Sequence, residues 1–290
     1  MSEVSEGESF RLTRPARQQT SVIFSSPHSG REYPQDFLAA SLLDATALRS
    51  SEDAYVDRLF ARAPLFGAPL LCARAPRAYI DLNRGCDELD PSVVEDVTRA
   101  AHNPRVSSGL GVIPRVVAGG RAIYEGKISR TEAEHRIARH WRPWHATLRG
   151  LVTQTHAMLG EAIVIDCHSM PHEAIETHAR PGKPRPDVVL GDRFGAAASR
   201  EVVEQIEAIF AAAGFRVARN SPFAGAYIAQ AYGHPVSRKH VVQVEIDRAL
   251  YLDEKRVEPL PNFSAFCQKI NRIVAEIAQI GHNALPIAAE

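Results

Sequence analysis

Ala162-Ile163-Val164-Ile165-Asp166-Cys167 is the stretch on which the fold turns. It is a continuous apolar run without the polar alternation of a strand wet on one side, so it reads as a strand covered on both faces. Just upstream, Ser129-Arg130-Thr131-Glu132 has the form of a capping box, in which the serine accepts from a free helix NH and the glutamate reaches back. Ile137, Trp141, Trp144, Leu148, Leu151, Thr155 and Met158 then alternate steps of four and three and line one face of a long helix. Pro143 predicts a kink, because it removes an NH from the ladder, and Gly160 predicts the stop.

The same alternation runs outward in both directions. Downstream come a strand at Asp187-Val188-Val189-Leu190 and a helix from Ser199 with Val203, Ile206 and Phe210 inward. Phe215-Arg216-Val217-Ala218 returns as a strand, and Val241 to Ile246 is the last strong one. A final helix capped by Asn262 carries Phe263, Phe266, Ile270, Ile273 and Ile277. Upstream, Ser21 to Ser26 is a β-prone run stopped by Pro27, and Val56, Leu59, Phe60 and Ala63 place Glu52 and Asp53 at a helix start. Leu70 to Ala73 and Tyr79 to Leu82 read as further strand pieces. Strands alternating with helices predict an α/β sheet covered on both faces. Residues 1–20 have no sustained period and read as a flexible N-terminal arm, followed by a single domain over 21–290. Residues 85–128, rich in Gly and Pro, read as a long, structured loop excursion.

Composition excludes several classes. Lys plus Arg total 34 and Asp plus Glu total 34, so no broad electrostatic grip on nucleic acid or an anionic membrane is expected. No run approaches the length of a membrane span, and Met1 to Ser9 is acidic and polar rather than signal-like. Cys72, Cys86, Cys167 and Cys267 form no CxxC pair and predict reduced thiols in a cytoplasmic protein. The sequence carries no signal for oligomeric state.

Chemistry collects at strand ends, where open α/β sheets build their sites. Four ends carry polar sets: Pro27-His28-Ser29-Gly30, Asp81-Leu82-Asn83-Arg84, Asp166-Cys167-His168-Ser169 and Gln243-Val244-Glu245-Ile246-Asp247-Arg248. Either histidine alone is more simply a sheet-edge cap. As a pair, each behind a buried strand, they suit a catalytic zinc site of two imidazoles and one carboxylate, the latter from Asp53, Glu52 or Glu32. Ser29 and Ser169 lack the G-x-S-x-G elbow of a serine nucleophile, and Cys167 at the end of an apolar strand reads as an inert thiol. Asn83-Arg84 suits a carboxylate, through the guanidinium fork and an adjacent amide, or else a structural salt bridge to Asp81 or Asp87. Arg77, Arg115 and Arg248 are further candidates for anionic oxygen. Glu245, in an apolar strand, is either paired with an arginine such as Arg248 or is a tuned general base. Trp141 and Trp144 read as packing, His135, His140 and His156 as solvated positions, and His145, His234 and His240 as neighbours of the site.

From Val22 to Glu254 the chain resembles the N-formylglutamate amidohydrolase family. The resemblance is carried by Ser26 to Gly30, Glu52-Asp53 with Val56 to Leu59, Asp81 to Arg84, Gly111 to Arg115 and Trp141 to His145. It continues through Asp166 to Met170, Gly191-Asp192, Asn220 to Gly225, and Gln243 to Arg248 with Tyr251. It implies a phosphorylase/hydrolase-like fold, a three-layer α/β/α sandwich with a mixed, mostly parallel sheet, similar to zinc carboxypeptidases and aspartoacylase. It implies Zn2+ held by His28 and His168, a substrate carboxylate held by Asn83 and Arg84, Glu245 as general base and acid, and Arg77 polarising the scissile carbonyl. Arg115 and Arg248 are the expected further anchors for a small, acidic N-acyl amino acid, and the implied metabolic place is histidine degradation. The sequence departs from the carboxypeptidase His-x-x-Glu loop, since Arg31 stands at the Glu place; Asp53, at a helix start, is the favoured third ligand. It also has Ala224-Gly225-Ala226 where the family has paired glycines. A carboxypeptidase-like peptidase, a deacylase for larger acyl groups and a non-catalytic binder of acidic metabolites are the alternatives.

Overall fold

The computed structural model describes residues 3–7, 9–98, 103–176 and 185–281. Its strands are β1 (Glu3–Glu6), β2 (Phe10–Arg14), β3 (Val22–Ser26), β4 (Leu70–Ala73), β5 (Ala162–Met170), β6 (Val188–Gly191), β7 (Val217–Arg219) and β8 (Lys239–Asp247). They form one sheet in the order β1-β2-β4-β3-β5-β8-β6-β7. The central strands β4, β3, β5 and β8 are parallel, β2 runs antiparallel to β4, and β6 runs antiparallel to β8. The sheet is therefore mixed with a parallel centre, as the sequence leads one to expect.

The burial of β5 explains its composition. Val164 packs into the cluster containing Trp144, Leu148 and Leu151 of the helix Arg142–Leu159. Ile163, Ile165 and Cys167 pack into the opposite cluster with Val203, Ile206 and Phe210 of the helix Arg200–Ala212 and Ile270 and Ile273 of the helix Phe263–Ile280. Successive side chains point to opposite faces, so a strand with helices on both sides is apolar throughout.

Local signals are kept with two exceptions. Ser129 Oγ accepts from the Glu132 NH, and Gly160 closes the helix in the left-handed region with φ 74°. Glu132 does not reach back; its carboxylate takes the Arg136 guanidinium at 2.7 Å instead. Asn262 does not cap the last helix either, because its amide donates to the Leu250 carbonyl. Immediately before Pro143, residues Ile137–Trp141 form a π-helical turn, which absorbs the missing NH.

Two readings are corrected, and the loop excursion is structured as expected. The arm expected over 1–20 contains β1 and β2, and β2 is buried at Leu12 and pairs with β4 from Phe10 to Thr13; residues 1, 2 and 8 lie outside the described residues, as do 282–290 at the other end of the expected domain. The strand β2 gives little sequence signal because it is short and charged and buries only Leu12. Tyr79 to Leu82 is a turn rather than a strand: the Tyr79 and Ile80 NH groups both bond the Pro76 carbonyl. The excursion over 85–128, of which 99–102 lie outside the described residues, folds back so that the Asp81 NH donates to Val112 and the Val112 NH to Glu88. Among the described residues no helix is long and apolar enough to cross a membrane.

Candidate active site

Period-two alternation sets the site at the carboxyl edge of the sheet. Beyond Val164, β5 presents Asp166 and His168 on one face; beyond Val241, the adjacent β8 presents Gln243 and Glu245 on that same face. His168 and Glu245 are register partners. His28 follows the end of β3, and the Asp53 NH bonds the His28 carbonyl at 3.0 Å, which docks the start of the helix Val56–Leu59 against that loop. Gly30 permits the tight turn after His28, since a Cβ there would meet the Ala75 carbonyl oxygen at 2.1 Å.

His28, Asp53 and His168 converge. Their ligating atoms lie within 4.8 Å of one another, and all three residues are buried. Asp53 Oδ2 stands 2.8 Å from His168 Nδ1 and 3.4 Å from His28 Nδ1. The far nitrogens are each backed by a carboxylate: His28 Nε2 meets Asp81 Oδ1 at 2.7 Å, and His168 Nε2 meets Asp166 Oδ2 at 3.0 Å. Such backing leaves the near nitrogen as the electron donor and raises its basicity. His28 Nδ1 is buried with no hydrogen-bond partner among the described residues. Burial works against charge on His168, yet Asp166 and Asp53 hold its pKa well above the imidazole norm. Carboxylates that favour a proton there favour a cation, and two imidazoles with one carboxylate are a donor set that fits a divalent metal.

Arg31, at the place of the expected Glu ligand, turns away and forks onto Asp57 at 3.1 and 2.8 Å. Glu52 also faces elsewhere, toward Arg49 and Tyr33, and Glu32 pairs with Arg74. The structure thus brings Asp53, alone of the three carboxylates considered, to the two histidines.

Beside this group lies a cavity of about 550 Å³, lined among others by Arg77, Asn83, Arg84, Gln243, Glu245 and Arg248. Burial pushes the Glu245 carboxyl up to about 7; Asp53 adds to the rise, while His168, Arg77 and Arg248 oppose it. Its side chain is held by Gln243, which donates to Glu245 Oε1 at 2.7 Å and accepts the Ala226 NH at 2.9 Å. Arg77 donates through Nε to Asp81 Oδ2 at 3.0 Å, and its terminal nitrogens have no hydrogen-bond partner among the described residues. Arg84 donates to the carbonyls of Leu110 and Asn83, not to Asp81 or Asp87.

Three expectations are revised. Arg248 lines the cavity but is committed to Asp53 Oδ1 at 2.9 Å and Ser169 Oγ at 3.1 Å, so its guanidinium is engaged within the protein. Arg115 is not brought to the cavity; it pairs with Asp90 at 3.0 Å, because its turn points it back into the excursion. Asn83 sits in the lining, but its amide donates to Asp166 and lies 3.0 Å from His168 Nε2, while its oxygen accepts the Ile228 NH. It supports the histidine that Asp166 supports. Burial pushes the Cys167 thiol well up, as an inert core cysteine requires.

Other residues carry roles that the linear pattern concealed. Trp141 does pack, yet its indole NH also donates to the Arg84 carbonyl at 2.8 Å. His145 lies 2.9 Å from the Leu82 carbonyl and 2.8 Å from the Tyr232 hydroxyl, and burial lowers its pKa to about 4. Together they pin the loop from Asp81 to Arg84. His234 and His240 lie at the opposite end of β8, where His240 faces Glu161, and His140 is buried edge-on against Tyr79.

A basic carboxylate beside a buried ligand group, at the carboxyl edge of an α/β sheet, is the equipment of a hydrolase. The sequence profile described as N-formylglutamate amidohydrolase matches residues 20–252. An N-formylglutamate deformylase of Pseudomonas aeruginosa is 30% identical over 243 residues, covering 82% of this chain and 85% of that protein. One from Pseudomonas putida is 26% identical, covering 89% and 91%. The crystal structure of N-formylglutamate amidohydrolase from Ralstonia eutropha JMP134 superposes with a TM-score of 0.89 at 33% identity, over 96% of this chain and 99% of that one. The chain belongs to the N-formylglutamate amidohydrolase family.

Proposed function

We propose that this protein hydrolyses N-formyl-L-glutamate to formate and L-glutamate, with one Zn2+ held by His28, Asp53 and His168. The observation that carries the reading is the convergence of that buried group, within 4.8 Å, beside Glu245 in one cavity. The names of the relatives support the substrate. Zinc, when bound, supplies a water of lowered pKa and polarises a carbonyl.

The chain's own residues do the rest. Glu245 takes the proton of the attacking water and returns it to the leaving nitrogen, which departs as the amine of glutamate. A carboxylate suits this task when burial brings its pKa near neutrality, as here. Arg77, fixed by Asp81 through Nε, turns its terminal nitrogens to the oxyanion of the formyl group. Arg84 receives the α-carboxylate and so sets the distance of the formyl carbon from Glu245. Asn83, Arg248, Asp81 and Asp166 hold the three ligands in place. We place the protein in the cytoplasm, on the free state of Cys72, Cys86, Cys167 and Cys267.

The test is formate release from N-formyl-L-glutamate, assayed beside N-acetyl-L-glutamate and a dipeptide. Preferred turnover of the formyl compound is expected. Faster cleavage of the acetyl compound or the dipeptide would assign the site to a deacylase or peptidase, and no turnover of any would leave a binder of acidic metabolites.

A further inference from the structure

The cavity carries more positive charge than its own acids neutralise. Arg77, Arg84, Arg105 and Arg248 line it. Arg77 is paired with Asp81 and Arg248 with Asp53, both buried carboxylates. Arg84 bonds only main-chain carbonyls. Arg105, an exposed residue of the short helix Pro104–Ser107, has no side-chain partner among the described residues. Two guanidinium groups without an ion-pair partner among the described residues therefore line the cavity, and the proposed substrate has two carboxylates.

The two arginines are coupled through the backbone. Arg84 Nε donates to the Leu110 carbonyl at 2.9 Å, and the Leu110 NH donates to the Arg105 carbonyl at 2.8 Å. Asn103 Oδ1 accepts the Arg105 NH at 3.0 Å, and its amide is tied to Glu88 at 2.9 Å, so the base of the Arg105 side chain is fixed. Burial lowers the Arg84 pKa; Asp81 and Glu88 oppose this, while Arg77 and Arg105 add to the lowering, as neighbouring positive charges do.

We propose that Arg105 is a specificity-determining residue that receives the side-chain carboxylate of the acidic N-acyl amino acid, leaving Arg84 to the α-carboxylate. The assignment rests on the hydrolytic reading above and names what that reading lacks, since Arg115 and Arg248 are engaged elsewhere. A planar guanidinium can fork onto a carboxylate, and an exposed one at a cavity wall discriminates by charge at little cost to the core.

N-Formyl-L-glutamate and N-formyl-L-glutamine differ only in that carboxylate. Their kcat/KM ratio, measured at physiological salt where the screening length is about 8 Å, reads the assignment. In wild-type protein the ratio should favour glutamate by at least about tenfold, carried in KM, and Arg105→Gln should bring it to within about twofold of unity. Arg105→Lys should fall between, since it keeps charge without the fork. An unchanged ratio in Arg105→Gln, or a wild type that does not distinguish the two compounds, overturns the assignment. Should wild-type protein with added zinc turn over neither compound, the hydrolytic reading fails separately, and calorimetry with glutarate and butyrate decides this one. Tighter binding of glutarate that Arg105→Gln abolishes supports it; equal affinities in the wild type overturn it.

Discussion

Asp53 is gripped from three sides: Arg248 on Oδ1, His168 and His28 on Oδ2. Burial works to raise its pKa, but the two histidines hold it well below the usual range. A carboxylate so held stays ionised and oriented, as a metal ligand must be. Asp81 does the same for His28 and also takes Arg77 and the Asn83 NH. Asp81→Asn should lower zinc affinity by about 10–100-fold, read by competition with a chelator; unchanged affinity would remove Asp81 from this role. Glu245→Gln should cut kcat by at least about a hundredfold while leaving zinc bound, measured by formate release and metal content on the same sample. Wild-type turnover in that variant would show that another group is the base. At this scale the sequence revealed types but not partners. His28 and His168 stood out because each ended a buried strand, whereas the acid that holds Arg248, Asp53, lies 195 residues away in the chain and gives no local signal.

Elements explain which partners were nonetheless within reach. Asp166 precedes His168 by two positions, and Gln243 precedes Glu245 by two, so the strand period alone places each beside the residue it supports. The loop from Asp81 to Arg84 gives no such help, since a turn has no period; its anchors come from the helix Arg142–Leu159 and the π turn before it. Trp141→Phe removes the donor to the buried Arg84 carbonyl and should cost about 1 kcal/mol of stability, read by urea denaturation, with a rise in KM exceeding any fall in kcat. An unchanged KM would show that the loop holds Arg84 without Trp141. The excursion announced itself by its Gly and Pro residues, but which of its arginines faces inward depends on the Asn103 cap and the Asp90 pair.

Across the whole molecule, the parallel centre of the sheet fixes where chemistry can occur; the antiparallel additions extend the core, and β6 also abuts the site, with Val189 opposite Glu245 and Gly191 opposite Gln243. The parallel centre was legible because both its faces are apolar, and β6 and β7 were legible with it; β2 was not, because a strand that buries only one residue dilutes the signal. Stability should carry a pH signature from the β6–β7 edge. Arg216 donates to both oxygens of Asp187, and, although burial opposes it, these bonds lower the Asp187 pKa. A depressed carboxylate contributes stability that is present above its unfolded pKa, about 3.9, and is lost as pH falls through the lower folded value. The stability gap between wild type and Asp187→Asn should thus be open at pH 6 and narrow below about pH 4; a gap independent of pH would assign the difference to packing.

The central claim is that His28, Asp53 and His168 hold one zinc ion on which hydrolysis depends. Metal content and formate release, measured on one preparation before chelation, after it and after zinc is restored, address it most directly. One zinc per chain is expected, with loss of formate release on removal of the metal, its return with zinc, and neither metal nor activity in His168→Ala. Full-rate formate release from metal-free protein would contradict it.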